Sequence, residues 1–246
     1  MPKQSRPMVI LTRPADQGAR FAKALRLRLG PVVVLQSPLI QPKFRVPDVP
    51  DRAWSAVIFT SGTAVAACEA LPAPLRQRLP RLAFCVGHRT AELAKMAGFE
   101  TISANGDAEA LIRCILAKAP QPPLLHLHGA ETRGDIAACL TEAGIEASGV
   151  VLYDQLVCPL SGDVQTALRG DTPLILPVFS PRTADLLAAD LADARAPLHL
   201  VAISQATAAP VSRLPLASLT IAARPDADAM LDAVEHLFAA ATRLEP

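Results

Sequence analysis

Short apolar runs alternate with longer segments of helical spacing along the whole chain. In one such segment Phe21, Leu25 and Leu29 fall on a single helical face, as buried helix positions do. This alternation predicts an α/β fold built from parallel sheets. Pro177 falls inside one apolar run, and because proline lacks an N–H we expect it to begin the strand proper or to mark a bulge. The predicted strands are 8–11, 32–35, 56–60, 82–86, 99–102, 124–128, 148–152, 174–179, 198–203 and 219–222.

The turns that follow these runs occur in two similar series. "FTSGTAV" at 59–65 corresponds to "FSPRTAD" at 179–185, with Ser61 and Ser180 separated by 119 positions. "VGHRTAEL" at 86–93 corresponds to "ISQATAAP" at 203–210, with Thr90 and Thr207 separated by 117 positions. The segments 11–25 and 106–112 have counterparts in the same way at 128–140 and 225–231. Serine, threonine and glycine suit helix N-caps, so similar turns also arise without duplication. Four segments that recur in order at a nearly constant offset nevertheless favour two halves of one plan.

Two such halves facing each other would line a cleft with helix N-termini. Ligands of parallel α/β sheets bind beyond the carboxyl ends of the strands, where free N–H groups and helix dipoles favour anions. Arginines recur in the same turns, at positions 13, 89, 133 and 182. A polycarboxylate or polyphosphate ligand is therefore expected, although each hydroxyl taken alone is better explained as a helix cap. The hydroxyl residues of these turns are Thr12, Ser61, Thr63, Thr90, Ser180, Thr183, Ser204 and Thr207.

Composition narrows the classes of function. A net charge of +1 gives no global field for nucleic acid or an anionic membrane, and aromatic residues at 4% argue against a base-stacking surface. The chain contains no GxGxxG or GxxxxGK[ST] motif, which counts against dehydrogenases and kinases. The five cysteines are scattered without CxxC spacing, and the N-terminal apolar run is too short for a secretion signal. We expect a cytoplasmic protein without metal, nucleic-acid or membrane partners.

Seven segments together resemble the uroporphyrinogen-III synthase family. In the family's order and spacing, from about residue 8 to 240, they are "VILTRPADQGARFAKAL", "SPLIQP", "VIFTSGTAV", "VGHRTAELAKMAGF", "VVLYDQL", "VFSPRTADLL" and "VAISQATAAPV". The resemblance implies two similar parallel-sheet α/β domains, with a cleft between them and a two-stranded β-ladder joining them. Domain one would comprise 1–37 and 157–246, domain two 42–151, and the linker strands 38–41 and 152–156.

The resemblance also implies an activity. Members of this family are lyases of tetrapyrrole biosynthesis, the route to haem, sirohaem and chlorophyll-type products. They close hydroxymethylbilane, a linear tetrapyrrole with eight carboxylates, into uroporphyrinogen III. Water is lost, and ring D is inverted through a spiro intermediate. The family uses no cofactor and no metal. A monomer is expected, and a transient contact with the enzyme that produces hydroxymethylbilane is left open.

The family pattern places a tyrosine on the returning linker strand, and Tyr153 matches it as the candidate acid that assists departure of the hydroxyl group. A phenol is protonated at neutral pH and can donate a proton without prior tuning. The alternative is an aromatic residue that packs the hinge, with its hydroxyl bonded to backbone. Since folding the bilane so that its ends meet supplies much of the acceleration, loss of Tyr153 would slow the reaction without abolishing it.

The candidate substrate-binding residues come from both series of turns. Arg13 and Arg133 have the alternative of pairing with a nearby acid, Asp16 or Glu131, in a weak surface ion pair. The complete set is Thr12, Arg13, Ser61, Gly62, Thr63, Gly87, Thr90, Gly129, Arg133, Ser180, Pro181, Ser204 and Thr207.

A second class of function stays open at this point, namely a non-catalytic binder or sensor of a small polycarboxylate or tetrapyrrole. His126 and His128 share one strand face at i and i+2, but a metal site would need further ligands. We interpret them as strand histidines at the rim of the cleft, and His88 as a solvent-facing histidine.

Overall fold

The computed structural model describes residues 6–132 and 134–243, which form eleven strands and ten α-helices. The strands are β1 (Met8–Leu11), β2 (Val34–Gln36), β3 (Ile40–Phe44), β4 (Ala56–Phe59), β5 (Leu82–Cys85), β6 (Glu100–Ser103), β7 (Leu124–Gly129), β8 (Ala147–Val157), β9 (Leu174–Val178), β10 (Leu198–Ala202) and β11 (Ser218–Ile221). The helices are α1 (Ala15–Leu29), α2 (Gly62–Glu69), α3 (Ala73–Gln77), α4 (His88–Met96), α5 (Ala108–Lys118), α6 (Ile136–Glu142), α7 (Gly162–Arg169), α8 (Pro181–Ala192), α9 (Gln205–Ala208) and α10 (Ala227–Arg243). None of the helices in these described ranges combines the length and the apolar character needed to cross a membrane.

The chain divides into two compact units. The first unit combines the chain up to Gln41 with the chain from Val157 onward, and the second runs from Pro42 to Leu156. The first unit contains a five-stranded parallel sheet in the order β11-β10-β9-β1-β2. One face of this sheet packs against α1 and α10, and the other against α7, α8 and α9. Phe21 and Leu25 of α1 are buried on the first face, as the helical spacing predicts.

The second unit contains a six-stranded sheet in the order β3-β8-β7-β4-β5-β6. The five strands from β8 to β6 are parallel, and helices α2 and α4 cover one face while α5 and α6 cover the other. The pair of β3 and β8 is antiparallel, because the Arg45 N–H donates to the Leu152 carbonyl and the Cys158 N–H to the Leu39 carbonyl. Both junctions between the units lie within these two strands.

The five parallel strands of each sheet follow the same order, and β3 is an additional strand of the second sheet. The order β11-β10-β9-β1-β2 in the first unit corresponds position by position to β6-β5-β4-β7-β8 in the second. Ser61 therefore follows the strand that corresponds to the one before Ser180, as the offset in sequence predicts. The predicted fold class, α/β with two similar sheets dominated by parallel strands, is confirmed.

One local expectation was wrong. Pro177 neither begins its strand nor marks a bulge, since β9 pairs with β10 in regular register from Leu174 through Val178. The Val178 carbonyl accepts from the Ile203 N–H on the β10 side, so position 177 faces β1 by alternation. The ladder with β1 ends at Ile175 although β1 continues to Leu11 and β9 to Val178, as expected beside a residue that has no N–H to donate to β1.

Candidate functional site

The hydroxyl group of Tyr153 contacts Ser61 at the carboxyl edge of the six-stranded sheet. Tyr153 is 6% exposed, and its oxygen lies 3.1 Å from Ser61 Oγ. Ser61 is the N-cap of α2, where its Oγ accepts a hydrogen bond of 3.1 Å from the Ala64 N–H. The Ser61 hydroxyl retains a proton to donate to the tyrosine oxygen. In that arrangement the phenol proton is available to a ligand.

A bulge and a glycine together position the Tyr153 ring. The register of β7 and β8 shifts between His128 and Gly129, so that His128 pairs with Val151 but Gly129 pairs with Tyr153. A Cβ atom on Gly129 would lie 2.6 Å from Cζ and 2.9 Å from the hydroxyl oxygen of Tyr153. Glycine is required here because the ring passes directly over its Cα. The Ala130 N–H also donates to the Tyr153 carbonyl at 2.8 Å, which fixes the backbone.

Ser61, Gly129 and Tyr153 line one cavity of about 340 Å³ in the second unit. This volume is at the lower end of the range of small-molecule sites. Glu131 supplies a carboxylate to the wall, and a buried histidine also contributes. The described lining residues are Thr60, Ser61, Val86, Ala108, His126, Gly129, Glu131, Thr132, Gly134, Ile136, Tyr153 and Gln155.

That histidine is His126, and the expectation that it lies at a rim was wrong. His126 is 2% exposed, in the middle of β7, and its ring stacks on that of His128 with centroids 4.5 Å apart. Burial, reinforced by neighbouring His128, lowers the pKa of the His126 imidazole to about 3, while Asp135 acts weakly in the opposite direction. The spacing of Leu124, His126 and His128 on one strand face was the signal in the sequence, because Leu124 is fully buried on that face.

The other candidates in the second unit lie at the starts of α2 and α4. Gly62 is the first residue of α2, and a Cβ atom there would lie 2.6 Å from Leu93 Cδ1, so the glycine allows α2 and α4 to approach closely. Thr63 is partly buried in the same turn. Gly87 is the N-cap of α4, with open space around it, and Thr90 in the first turn is 7% exposed. Arg133 lies outside the described residues.

In the first unit the candidate serines are helix caps. Ser180 Oγ accepts from the Thr183 N–H at 3.1 Å at the start of α8, and Pro181 occupies the first helical position. Ser204 Oγ accepts from the Thr207 N–H at 3.3 Å and lies 3.1 Å from the Thr207 hydroxyl oxygen. Thr207 itself is fully buried. The capping interpretation is therefore correct for both serines, and it leaves the remaining N–H groups of each first turn available.

Thr12 and Arg13 follow β1 at the same edge of the five-stranded sheet. Thr12 is 3% exposed, and its carbonyl accepts from the Leu39 N–H. The Arg13 guanidinium lies 3.8 Å from the ring centroid of Phe179 and donates to Gln17 Oε1 at 2.8 Å. Its pKa is lowered, mainly by burial and then by Arg20, but an arginine stays charged at neutral pH. Asp16, the alternative partner, pairs with Arg20 instead.

The fold and these positions define a class, namely α/β proteins of two similar parallel-sheet units whose capped helices begin at the carboxyl ends of the strands. Comparison with known proteins identifies one family within this class. Residues 20–232 match the family model described as Uroporphyrinogen-III synthase HemD. The chain belongs to the uroporphyrinogen-III synthase family.

A solved structure agrees on the fold. The chain is similar to uroporphyrinogen-III synthetase from Helicobacter pylori 26695, with a TM-score of 0.64 and 20% identity over 94% of this chain and 99% of that one. It also matches a mutant uroporphyrinogen III synthase from the extremely thermophilic bacterium Thermus thermophilus, with a TM-score of 0.44 and 16% identity over 97% and 100% of the two chains. No curated protein matches the chain significantly.

Proposed function

We propose that this protein is a uroporphyrinogen-III synthase, which closes hydroxymethylbilane with loss of water and inversion of ring D through a spiro intermediate. The family match over residues 20–232 is the observation that carries this proposal. The contact of Tyr153 with Ser61 beside a cavity supports it, because the reaction needs a proton donor at the departing hydroxyl. The product would enter tetrapyrrole biosynthesis.

Tyr153 is the proposed acid. In the proposed arrangement Ser61 Oγ, which accepts the Ala64 N–H, donates its own proton to the tyrosine oxygen, and the phenol proton is left for the ligand. The ring lies directly against Gly129, which has no Cβ atom to displace it. The acid lowers the barrier to loss of water. The enzyme's other contribution is to hold the two ends of the bilane together, an effect of proximity that does not depend on Tyr153.

The carboxylates of the substrate are proposed to bind at the helix N-termini. Ser61, Gly62 and Thr63 begin α2, and Gly87 and Thr90 begin α4. In the first unit the corresponding groups are Ser180 and Pro181 at α8 and Ser204 at α9, with Thr12 and Arg13 after β1. Backbone N–H groups and the helix dipole attract carboxylates at such positions. Because Thr207 is fully buried against Ser204, its proposed part is to hold that serine in place.

The test is to incubate the protein with freshly generated hydroxymethylbilane and to resolve the uroporphyrin isomers after oxidation. Isomer III in excess of a control without protein is the expected result. Isomer I alone, the product of spontaneous closure, would refute the synthase. Binding of the bilane with an unaltered isomer ratio would identify a non-catalytic binder on the same scaffold.

A further inference from the structure

The Arg13 guanidinium lies at the carboxyl edge of the five-stranded sheet and has no acid as a partner within the described chain. Arg13 is partly buried, and its Nη2 donates to Gln17 Oε1 at 2.8 Å. The adjacent acid, Asp16, pairs with Arg20 instead. A guanidinium has five N–H donors, so several remain for another partner. Burial is the largest cause of the lowered pKa of Arg13, which means that its neighbours do not compensate the charge for lost water.

Phe179 holds this guanidinium in place. Arg13 Cζ lies 3.8 Å from the centroid of the Phe179 ring, a distance at which the charge contacts the face of the ring. The Phe179 ring is itself fixed by buried Phe21 of α1, which meets it edge-on at 5.1 Å with an interplanar angle of 83°. Phe179 and Gln17 thus restrain the guanidinium through two separate contacts. A restrained side chain loses less conformational freedom when it binds a ligand.

The aromatic ring is not required to form the turn in which it lies. Phe179 immediately precedes Ser180, the N-cap of α8, and the offset of 119 positions makes Ser61 the corresponding cap in the second unit. The residue before Ser61 is Thr60, yet both serines accept a backbone N–H three residues later at 3.1 Å. The same turn is therefore built once with an aromatic ring and once without. What Phe179 adds to its copy is the contact with Arg13.

We propose that Phe179 and Gln17 hold the Arg13 guanidinium in an orientation that binds one carboxylate of the ligand through two parallel hydrogen bonds. The inference rests on the proposed function, since it takes the ligand to be a tetrapyrrole with carboxylate arms. A planar guanidinium matches the two oxygens of a carboxylate, whereas the ammonium group of lysine acts as a point charge. Arg13 is then the binding residue, and Phe179 and Gln17 are positioning residues that act through it.

The test measures the binding of uroporphyrinogen III under nitrogen, because this product carries the same carboxylates as the bilane. Phe179→Leu removes the ring face and is expected to weaken binding by about three- to tenfold. Phe179→Tyr keeps the ring face and should restore wild-type affinity. In an Arg13→Lys background, which lacks the planar fork, Phe179→Leu should change the affinity by less than about twofold.

Phe99→Leu is the matched control. The Phe99 ring also packs edge-on, against Phe59 at 5.4 Å, but no described arginine stacks on it. This variant should lose a similar free energy of unfolding in urea and still bind uroporphyrinogen III as wild type. With hydroxymethylbilane as substrate, Phe179→Leu should raise KM by about three- to tenfold and leave kcat within about twofold. A carboxylate that takes no part in the reaction is bound equally in the ground state and the transition state.

Nuclear magnetic resonance of ¹⁵N-arginine-labelled protein supplies an independent readout. The Nε–H signal of Arg13, assigned by its loss in Arg13→Lys, should move when uroporphyrinogen III is added. An unmoved signal, wild-type affinity in Phe179→Leu, an equal loss in the Arg13→Lys background, or a loss that Phe99→Leu shares would overturn the inference while leaving the synthase intact. Wild-type protein that forms no isomer III and does not bind uroporphyrinogen III would overturn both proposals.

Discussion

Replacement of Gly129 by alanine is expected to displace the Tyr153 ring without altering strand β7 itself. The backbone at Gly129 has no left-handed conformation, so alanine is tolerated there as far as the main chain is concerned. The new Cβ atom would instead lie 2.6 Å from Tyr153 Cζ. The perturbation therefore acts on one side chain, the proposed acid.

The size of the displacement follows from these contacts. An ordinary contact of a Cβ atom is 3.4 Å or more, so the ring has to move by about 0.8 Å. The contact between Tyr153 and Ser61 is 3.1 Å, and it tolerates a change of only about 0.4 Å before its geometry is lost. Overpacking of this kind costs roughly 1–3 kcal/mol of folding stability. For kcat we expect a loss of about 10- to 100-fold, equal within error to that of Tyr153→Phe.

The assay is steady-state formation of uroporphyrinogen III from hydroxymethylbilane, for both single variants and for the double variant. If Gly129 acts through the phenol, its replacement should lower the kcat of Tyr153→Phe by less than about threefold. Gly162→Ala is the matched control, since Gly162 begins α7 and a Cβ atom there meets open space. This control should keep full activity.

Two results would refute the reasoning about Gly129. One is a kcat of Gly129→Ala within twofold of wild type, which would mean that the phenol position is unimportant or that the ring moves at no cost. The other is an equal loss in the wild-type and Tyr153→Phe backgrounds, which would mean that the glycine acts independently of the hydroxyl group.

Further predictions concern caps, protonation and thiols. Ser61→Ala should cost about 1 kcal/mol in urea unfolding and also lower kcat, whereas Asp107→Ala, which removes the cap of α5, should cost a similar stability with kcat unchanged. The folded-state pKa of His126 is depressed to about 3, so the unfolded chain binds the extra proton first as the pH falls below about 6.5. Unfolding free energy measured from pH 7 to 4 should therefore decline, by up to about 1.4 kcal/mol per pH unit, and His126→Leu should flatten this decline; parallel curves would contradict it. Burial raises the pKa of the Cys68 thiol to about 12, so mass spectrometry after brief alkylation at pH 8 should find exposed Cys139 modified and Cys68 intact, and early modification of Cys68 would contradict the packing.

Much of the fold could be predicted from the sequence. Apolar runs indicate which segments are buried strands, and the capping residues in the turns indicate where helices begin. Ser61 and Ser180 were recognisable in sequence as a corresponding pair, and both are caps at corresponding strand ends. Pro177 shows a limit of this reasoning. Whether a missing N–H disrupts a strand depends on which neighbour it faces, and that is a property of the whole sheet.

The geometry of the candidate site was harder to predict from the sequence. The contact of Tyr153 with Ser61 joins residues 92 positions apart and depends on a shift in strand register. No local sequence pattern predicts such a shift. Its effect is nevertheless large, because one additional residue in β8 changes the face of every side chain that follows. His126 was misplaced for a related reason, since an imidazole inside an apolar sheet face contradicts the usual preference of histidine for partly exposed positions.

Tyr153 is the only tyrosine in the chain, and Trp54, the only tryptophan, belongs to the same apolar cluster. The near-ultraviolet dichroism of the phenol thus arises from a single ring whose surroundings change whenever the cavity is filled. Tyr153 is therefore an intrinsic spectroscopic probe at the position of the proposed chemistry. Binding of a ligand in the cavity can be followed by near-ultraviolet circular dichroism without an added label.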